Sequence, residues 1–499
     1  MKRICLIIFV ILIIATGIKA QNVDDALRYS QIFYGGSARF NSMGGAFTAL
    51  GGDISTLNQN PAGLGVFRSS EITLSPQLYN TRTTADFNGK FTDNLYNFNI
   101  NQIGFVGNII SHESGLISLN IAYSYNKMNN LSQSARIQGV SNSSSMADYW
   151  AGLGNSGNNG AGTNFHDLQG AEGLAFDAWV MDTVTGSGGK KYGTVFNNYG
   201  DNASSAYGQT IRRLIANDGY IGEHSFSIGG NYSDKFFFGA TFGITQLRYT
   251  SDYEHLESTD NALPTAFKNF TYIDHYEDKG TGYSVKFGAI YKPVDAVRLG
   301  LAFHTPTWYK IDEYYYNDVT ANFTDGGHYE FSSDPSRFNY ALATPFRVLA
   351  GIGVQIQKIA LLSADYEFVD YSTAKFSQTG DGYDYTNKND EIKNSLKPTS
   401  NFRLGGELRL SNVYLRTGYG YYGIPFTAGD ANSNLHYTSI SAGVGIREQN
   451  FSIDFSYTNF NYSENYLLYP VATGIDPATA NLGTSKNVFT LTLGYRFGI

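Results

Sequence analysis

Four basic residues, Lys286, Arg347, Arg403 and Arg416, lie in segments where apolar and polar residues alternate strictly. Alternation sends them to the polar face of a strand. In a partly dry interior such a cation can hold a ligand carboxylate through charge-assisted hydrogen bonds. Asp365, Glu367, Glu407 and Asp454 fall on the same face at similar depth. Pairing between these acids and bases is therefore the stronger expectation, with ligand binding the sharper alternative.

Other chemistry-bearing groups are thinner. Gly418, Gly420 and Gly423 match a dinucleotide fingerprint by letter, but they sit in an alternating strand that ends at Pro425, with no helix to follow. Asp252, Glu254 and His255, and His275 with Glu277 and Asp278, fall in one expected loop at 252–279, where adjacent acids are usually solvated. His304 is expected near an extracellular rim, with no serine or acid paired to it in sequence. Without a nucleophile and base, or a ligand cluster, no catalytic residue, metal site or cofactor is expected. Asn60-Pro61 starts a turn by type, and the glycine pairs Gly44-Gly45 and Gly51-Gly52 precede it.

The elements that must position these groups are strands. Phe489, Leu491, Leu493, Tyr495 and Phe497 share one face, against Thr490, Thr492, Gly494 and Arg496 on the other. Phe402, Leu404, Leu408 and Leu410 likewise oppose Arg403, Glu407 and Arg409, and Ile117 to Tyr125 repeats the pattern. The apolar sets persist for about the 9–11 residues that a tilted membrane-crossing strand requires. Short connections at 112–115, 233–235, 292–295, 357–358, 411–412 and 448–450 alternate with longer polar stretches near 81–95, 128–220, 252–279, 307–343, 373–399, 422–437 and 459–486. Six short turns, an opening strand near 70–80 and a closing one at 487–499 predict fourteen strands. The expected fold is an all-β, antiparallel transmembrane barrel spanning 69–499, with residues 21–68 as a small plug inside it. In the longest loop, 139–164 reads as a mobile Gly/Ser/Asn tract. Short amphipathic helices are expected at Leu168, Ala171, Leu174, Ala175 and Trp179, and again at Ile211, Leu214 and Ile215.

Composition agrees. Residues 1–20, with Lys2 and Arg3, an apolar run from Ile4 and Ala20 at the exit, read as a secretory signal peptide. Beyond them 32 basic residues face 43 acidic ones, which argues against a nucleic-acid partner. The single cysteine, Cys5, lies within the signal, so no disulfide or cysteine site is expected. With 38 Tyr, 34 Phe and 55 Gly, the chain is rich in the aromatics that anchor barrels at a membrane interface.

Several stretches carry a resemblance to a known family. Ser37 to Gly65 is a small-residue segment with Asp53, ending near Asn60-Pro61-Ala62-Gly63; VRLGLAFHTPT at 297–307, PFRVLAGIGV at 345–354, LSADYEFVDY at 362–371 and FRLGGELRL at 402–410 follow in order. In these the chain resembles the FadL/TodX (OmpP1) family of outer-membrane transport proteins. The resemblance implies a fourteen-stranded barrel with an N-terminal hatch carrying Asn60, Pro61, Ala62 and Gly63, and a monomer is expected. It also implies passive uptake of long-chain fatty acids or aromatic hydrocarbons, with outer-membrane lipid and lipopolysaccharide as surroundings. Some relatives are labelled hemin receptors, so heme binding or adhesion by the loops stands as the alternative.

Overall fold

The computed structural model describes residues 22–498 except 113, 158–161, 185–191, 198–205, 261–262, 264, 381 and 473–474. The expected signal peptide therefore lies outside the described residues.

Fourteen antiparallel wall strands close into a ring. They are β1 (Ser70–Asp86), β2 (Lys90–Ser111), β3 (Leu116–Asn130), β4 (Gln209–Tyr232), β5 (Phe236–Ser258), β6 (Phe267–Val294), β7 (Val297–His304 and Trp308–Phe323), β8 (Ser336–Ala343 and Arg347–Ile356), β9 (Ala360–Asp370 and Lys375–Gln378), β10 (Pro398–Leu410), β11 (Val413–Tyr422), β12 (Tyr437–Glu448), β13 (Phe451–Leu467) and β14 (Thr479–Phe497). Pairing of β1 with β14, Ser70 opposite Phe497 through Asp86 opposite Asn481, seals the cylinder. The expected short turns all connect neighbouring strands at one end. Several use left-handed residues there, Ser233, Asp234, Gln357, Ser411 and Gln449, as tight hairpins with the right-handed strand twist require.

Near those turns the outward residues are apolar. Phe236, Phe238 and Phe242 of β5, Phe451, Ile453 and Phe455 of β13, and Leu491, Leu493 and Tyr495 of β14 are exposed, while Thr241, Asp454, Ser456, Thr490 and Thr492 are buried. Further up the longer strands the polarity reverses. Asn461, Ser463 and Asn465 of β13 face outward, and Leu247 and Tyr249 of β5 and Leu482 of β14 face inward. The chain keeps its period of two through this reversal, so the strands run well past the apolar band.

That reversal explains where the expected loops were too long. Most of 81–95, 252–279 and 307–343 is strand, because a search for one constant apolar face ends where the faces exchange roles. Asp252, Glu254, His255, His275, Glu277 and Asp278 accordingly stand on β5 and β6, with Asp252 directly opposite His275, and not in a loop. Ile211, Leu214 and Ile215 belong to β4, not to a helix, since Ile211 and Ile215 bury one face of a strand. The 139–164 tract contains a strand end and the helix α3 (Met146–Ser156), whose N-terminus Ser145 and Asp148 close in a reciprocal capping box. The helix expected around Leu174 is present as α4 (Ala171–Asp177).

The third strand bends out of the wall at 131–132 and continues as Gln133–Ser141, paired with β4. Pairing of β2 with β3 stops at Gln102 opposite Asn126, so residues 90–100 of β2 bond only to β1 among the described residues. Tyr96 and Phe98 there are 69% and 72% exposed, against 41% for Phe105 where both neighbours are present.

Residues 22–67 lie inside the ring as short helical pieces: α1 (Val23–Ser30), α2 (Ala38–Ser42) and 3-10 turns at Ile54–Asn58 and Pro61–Val66. Their hydrogen bonds reach walls all around the cylinder, from Thr492 of β14 and Asp365 of β9 to Asn120 of β3 and Thr241 of β5.

Candidate functional site

The inner segment is fixed to the wall first by close backbone approach. Wall glycines on the inward face leave room for it: a Cβ on Gly288 would overlap the Asn60 amide oxygen and stand 2.9 Å from the Ala62 nitrogen. One on Gly239 would overlap the Pro61 carbonyl, and one on Gly418 would overlap the Gly44 nitrogen. This accounts for Gly418, whose place in β11 gives its sequence neighbourhood no nucleotide-binding form. Asn60 caps the Pro61–Val66 turn by accepting from the Ala62 N–H at 3.1 Å. Its amide nitrogen donates to the Thr48 carbonyl at 2.6 Å and to the Ala289 carbonyl of β6 at 3.3 Å. Pro61 occupies the first helical position, where a missing N–H costs nothing, and Ala62 and Gly63 are fully covered.

Charge forms the second attachment. All four candidate cations are buried on the inner face and engaged by carboxylates. Lys286 meets Glu223 and Arg347 meets one oxygen of Glu367, while Arg403 Nη1 donates to the other oxygen of Glu367 at 2.7 Å. Arg416 bridges Glu407 at 2.6 Å and Asp454 at 2.5 Å. The plug enters both clusters: Arg39 donates to Glu407 at 3.0 Å, Arg347 donates to the Ser30 carbonyl, and Tyr34 lies 5.1 Å below the Arg403 guanidinium. Asp365 instead accepts from the Thr48 backbone at 2.9 Å and hydroxyl at 2.7 Å. His304 is not at the rim; it is buried in the lumen, its Nε2 2.8 Å from the Gln59 carbonyl of the plug. The extra length of β7 above it displaces the rim upward.

Above the plug the reversed faces enclose a cavity of about 1620 Å³. Its floor is α1 with Phe33 and Tyr34; its sides carry Tyr249, Tyr276, Phe460 and Tyr462; its roof is α3 and α4. Phe33 meets Tyr422 and Tyr437 edge to face at 5.0 and 5.1 Å, and Trp150 of the roof meets Tyr272 at 5.2 Å. The roof is tied to the wall below it. The Met146 N–H donates to Glu257 at 2.7 Å, Gln209 donates to the other Glu257 oxygen at 3.0 Å, and His255 Nε2 lies 2.9 Å from Glu257. Burial pushes the Asp148 carboxyl in this roof up to about 6, against hydrogen bonds from Tyr207 and Thr194.

Neither the aromatic cavity nor the glycine contacts was read from sequence as a site. Both had a signal. Glycine at an inward position of a long strand marks close approach, and aromatics on the inward face above the lipid band mark an apolar interior.

Among the described residues no group of three or more His, Cys, Asp or Glu could hold a metal ion. Asp252 pairs with His275, Arg212 with Glu254 and Lys279 with Glu277.

A fourteen-stranded plugged barrel with an apolar outer band is an outer-membrane β-barrel fold. No protein-family model matches the chain, and no curated protein matches it either. Solved structures do. A Pseudomonas aeruginosa FadL homologue aligns at TM-score 0.56 and 12% identity over 94% of this chain and 100% of its own. The P. putida toluene transporter TodX aligns at 0.52 and 11%, over 94% and 100%. The monoaromatic hydrocarbon channel CymD aligns at 0.50 and 13%, over 94% and 99%. The chain shares the FadL/TodX channel fold.

Proposed function

We propose that the chain is an outer-membrane channel for passive uptake of hydrophobic small molecules. The observation that carries this reading is the exchange of polarity along the strands. It builds a large chamber above the lipid level whose aromatic rings stand among charged groups such as Arg28, Lys127, Glu464 and Lys486, and on the rings a greasy molecule leaves water at roughly 25 cal/mol per Å² of apolar surface buried. Residues 21–68 act as the hatch beneath it, and Asn60-Pro61-Ala62-Gly63 holds the hatch against β5 and β6. Arg416 ties hatch to wall through Glu407, which Arg39 of the hatch shares, and Arg347 does so through the Ser30 carbonyl, while Lys286 and Arg403 brace the wall through Glu223 and Glu367. The unpaired upper edge of β2 beside the bend in the third strand supports a sideways exit to the membrane, ahead of an exit through the hatch.

The named neighbours transport toluene or monoaromatic hydrocarbons or are homologous to FadL, and this chain is proposed to take the same broad class. The test is entry of labelled toluene and of labelled oleate into cells whose own hydrophobic channels are deleted. Uptake should rise with expression and persist after the proton gradient is collapsed. Entry equal to empty cells for both compounds would refute transport. Hemin retention lost on deleting 146–156, with no change in either uptake, would favour a surface binder instead.

A further inference from the structure

A second concavity, of about 880 Å³, lies on the outer side of the wall across the upper parts of β12, β13, β14 and β1. Its composition is unusual for this acidic chain: it contains no carboxylate, and Arg82 is its one full cation. Asn461, Asn465, Asn481 and Asn487 line it with Ser463, Ser485 and Thr438, and His436, tilted against Tyr421 at 5.6 Å, borders it. Register puts these amides directly above the apolar band, since Asn459 and Asn487 face each other one step up from Tyr457 opposite Phe489.

The amides are held in place by one another. Ser463 donates to Asn481 at 2.9 Å, Asn481 to Asn465 at 3.3 Å, and Asn459 to both Ser485 and Asn487 at 2.9 Å. The loop before β12 is clamped alongside by Asn432, which donates to the Asn465 carbonyl at 3.1 Å and accepts from its N–H at 2.7 Å. An amide nitrogen has two hydrogens; Asn481 donates one to Asn465 and Asn487 donates one to Asn80. The remainder is a fixed array of neutral donors and acceptors with an aromatic edge.

We infer that this groove binds the neutral sugar chain of the surrounding outer-leaflet glycolipid. Uncharged amides that donate and accept match vicinal hydroxyls, whereas phosphates of a lipid anchor would call for clustered Arg and Lys. Continuity with the lipid-facing band places a membrane-anchored glycan, rather than a free one, against these residues. The groove borders the proposed transport chamber at Asn432, Tyr462 and Asn465, but Thr438, Asn461, Asn481, Ser485 and Asn487 line the groove alone, and the inference does not depend on transport.

The test uses the full mature chain in mild detergent, with three probes: smooth lipopolysaccharide, the polysaccharide released from it by mild acid, and lipid A alone. Native mass spectrometry and isothermal titration should show polysaccharide binding that falls at least tenfold in N461A/S485A, with lipid A binding unchanged. Thr438→Trp, which fills the groove and leaves every amide in place, should have the same effect and guards against misfolding of the double variant. No polysaccharide binding by the wild-type chain, or equal binding by both variants, would overturn the inference.

Discussion

The close fit of glycine wall to plug backbone can be tested by adding single carbons. In Gly288→Ala the new Cβ meets the Asn60 amide oxygen and the Ala62 nitrogen; in Gly418→Ala it meets the Gly44 nitrogen and stands 2.7 Å from Ser441 Oγ. The obstructing atoms are mostly plug backbone or an amide already bonded on both sides, so the plug must shift. Overpacking of this kind costs about 1–3 kcal/mol per site. The two glycines are on β6 and β11, roughly 24 Å apart along the wall at about 4.8 Å per strand, so their effects should add. The double variant should therefore loosen plug docking by about 2–6 kcal/mol, or roughly 30-fold to 10⁴-fold in the undocking equilibrium. With Cys5, the chain's one cysteine, replaced by Ala, a Ser42→Cys reporter gives a single label on a plug residue buried in the native state. Its maleimide reaction rate should rise by that factor, and single-channel conductance in planar bilayers should rise with it. Gly483→Ala is the control, since its Cβ would meet nothing nearer than 3.9 Å. Protection in G288A/G418A equal to wild type, or an equal loss in G483A, would refute the docking argument.

Glu367→Gln removes the carboxylate shared by two buried guanidinium groups and should cost about 3–5 kcal/mol, read as a lower transition temperature in heat-modifiable gel migration. An unshifted transition would mean that these cations find other partners. Trp150→Ala should cost about 3–5 kcal/mol in the roof core, seen as faster hydrogen exchange in α3, and should reduce uptake at low substrate concentration. The roof should also respond to acid. The folded Asp148 holds its proton up to about pH 6, above its ordinary value of 3.8, so the protonated form favours folding. Roof stability should be highest below pH 4 and fall as pH rises through 6, a trend that exchange rates in 146–156 would report and that Asp148→Asn should flatten.

Sequence alone determined the barrel. Strict alternation in segments such as 489–497 can be satisfied between lipid and a polar interior only by a closed sheet, and six tight turns set the number of strands. It also put Arg347, Arg403 and Arg416 on the inner face with Glu367, Glu407 and Asp454 within reach, whereas Asp365 turned to Thr48 of the plug. The tertiary structure decided the rest, because the signals concerned are relations between distant strands. Glu223 became the partner of Lys286, and Arg39 that of Glu407, only when the ring closed around the plug. Ile211 and Ile215 fit a helix by spacing, yet β5 offers hydrogen bonds along the whole of β4 and holds them extended. The aromatic chamber was hidden for a related reason: period-2 alternation does not say which face is the inside, and that assignment changes partway up the longer strands where lipid gives way to water.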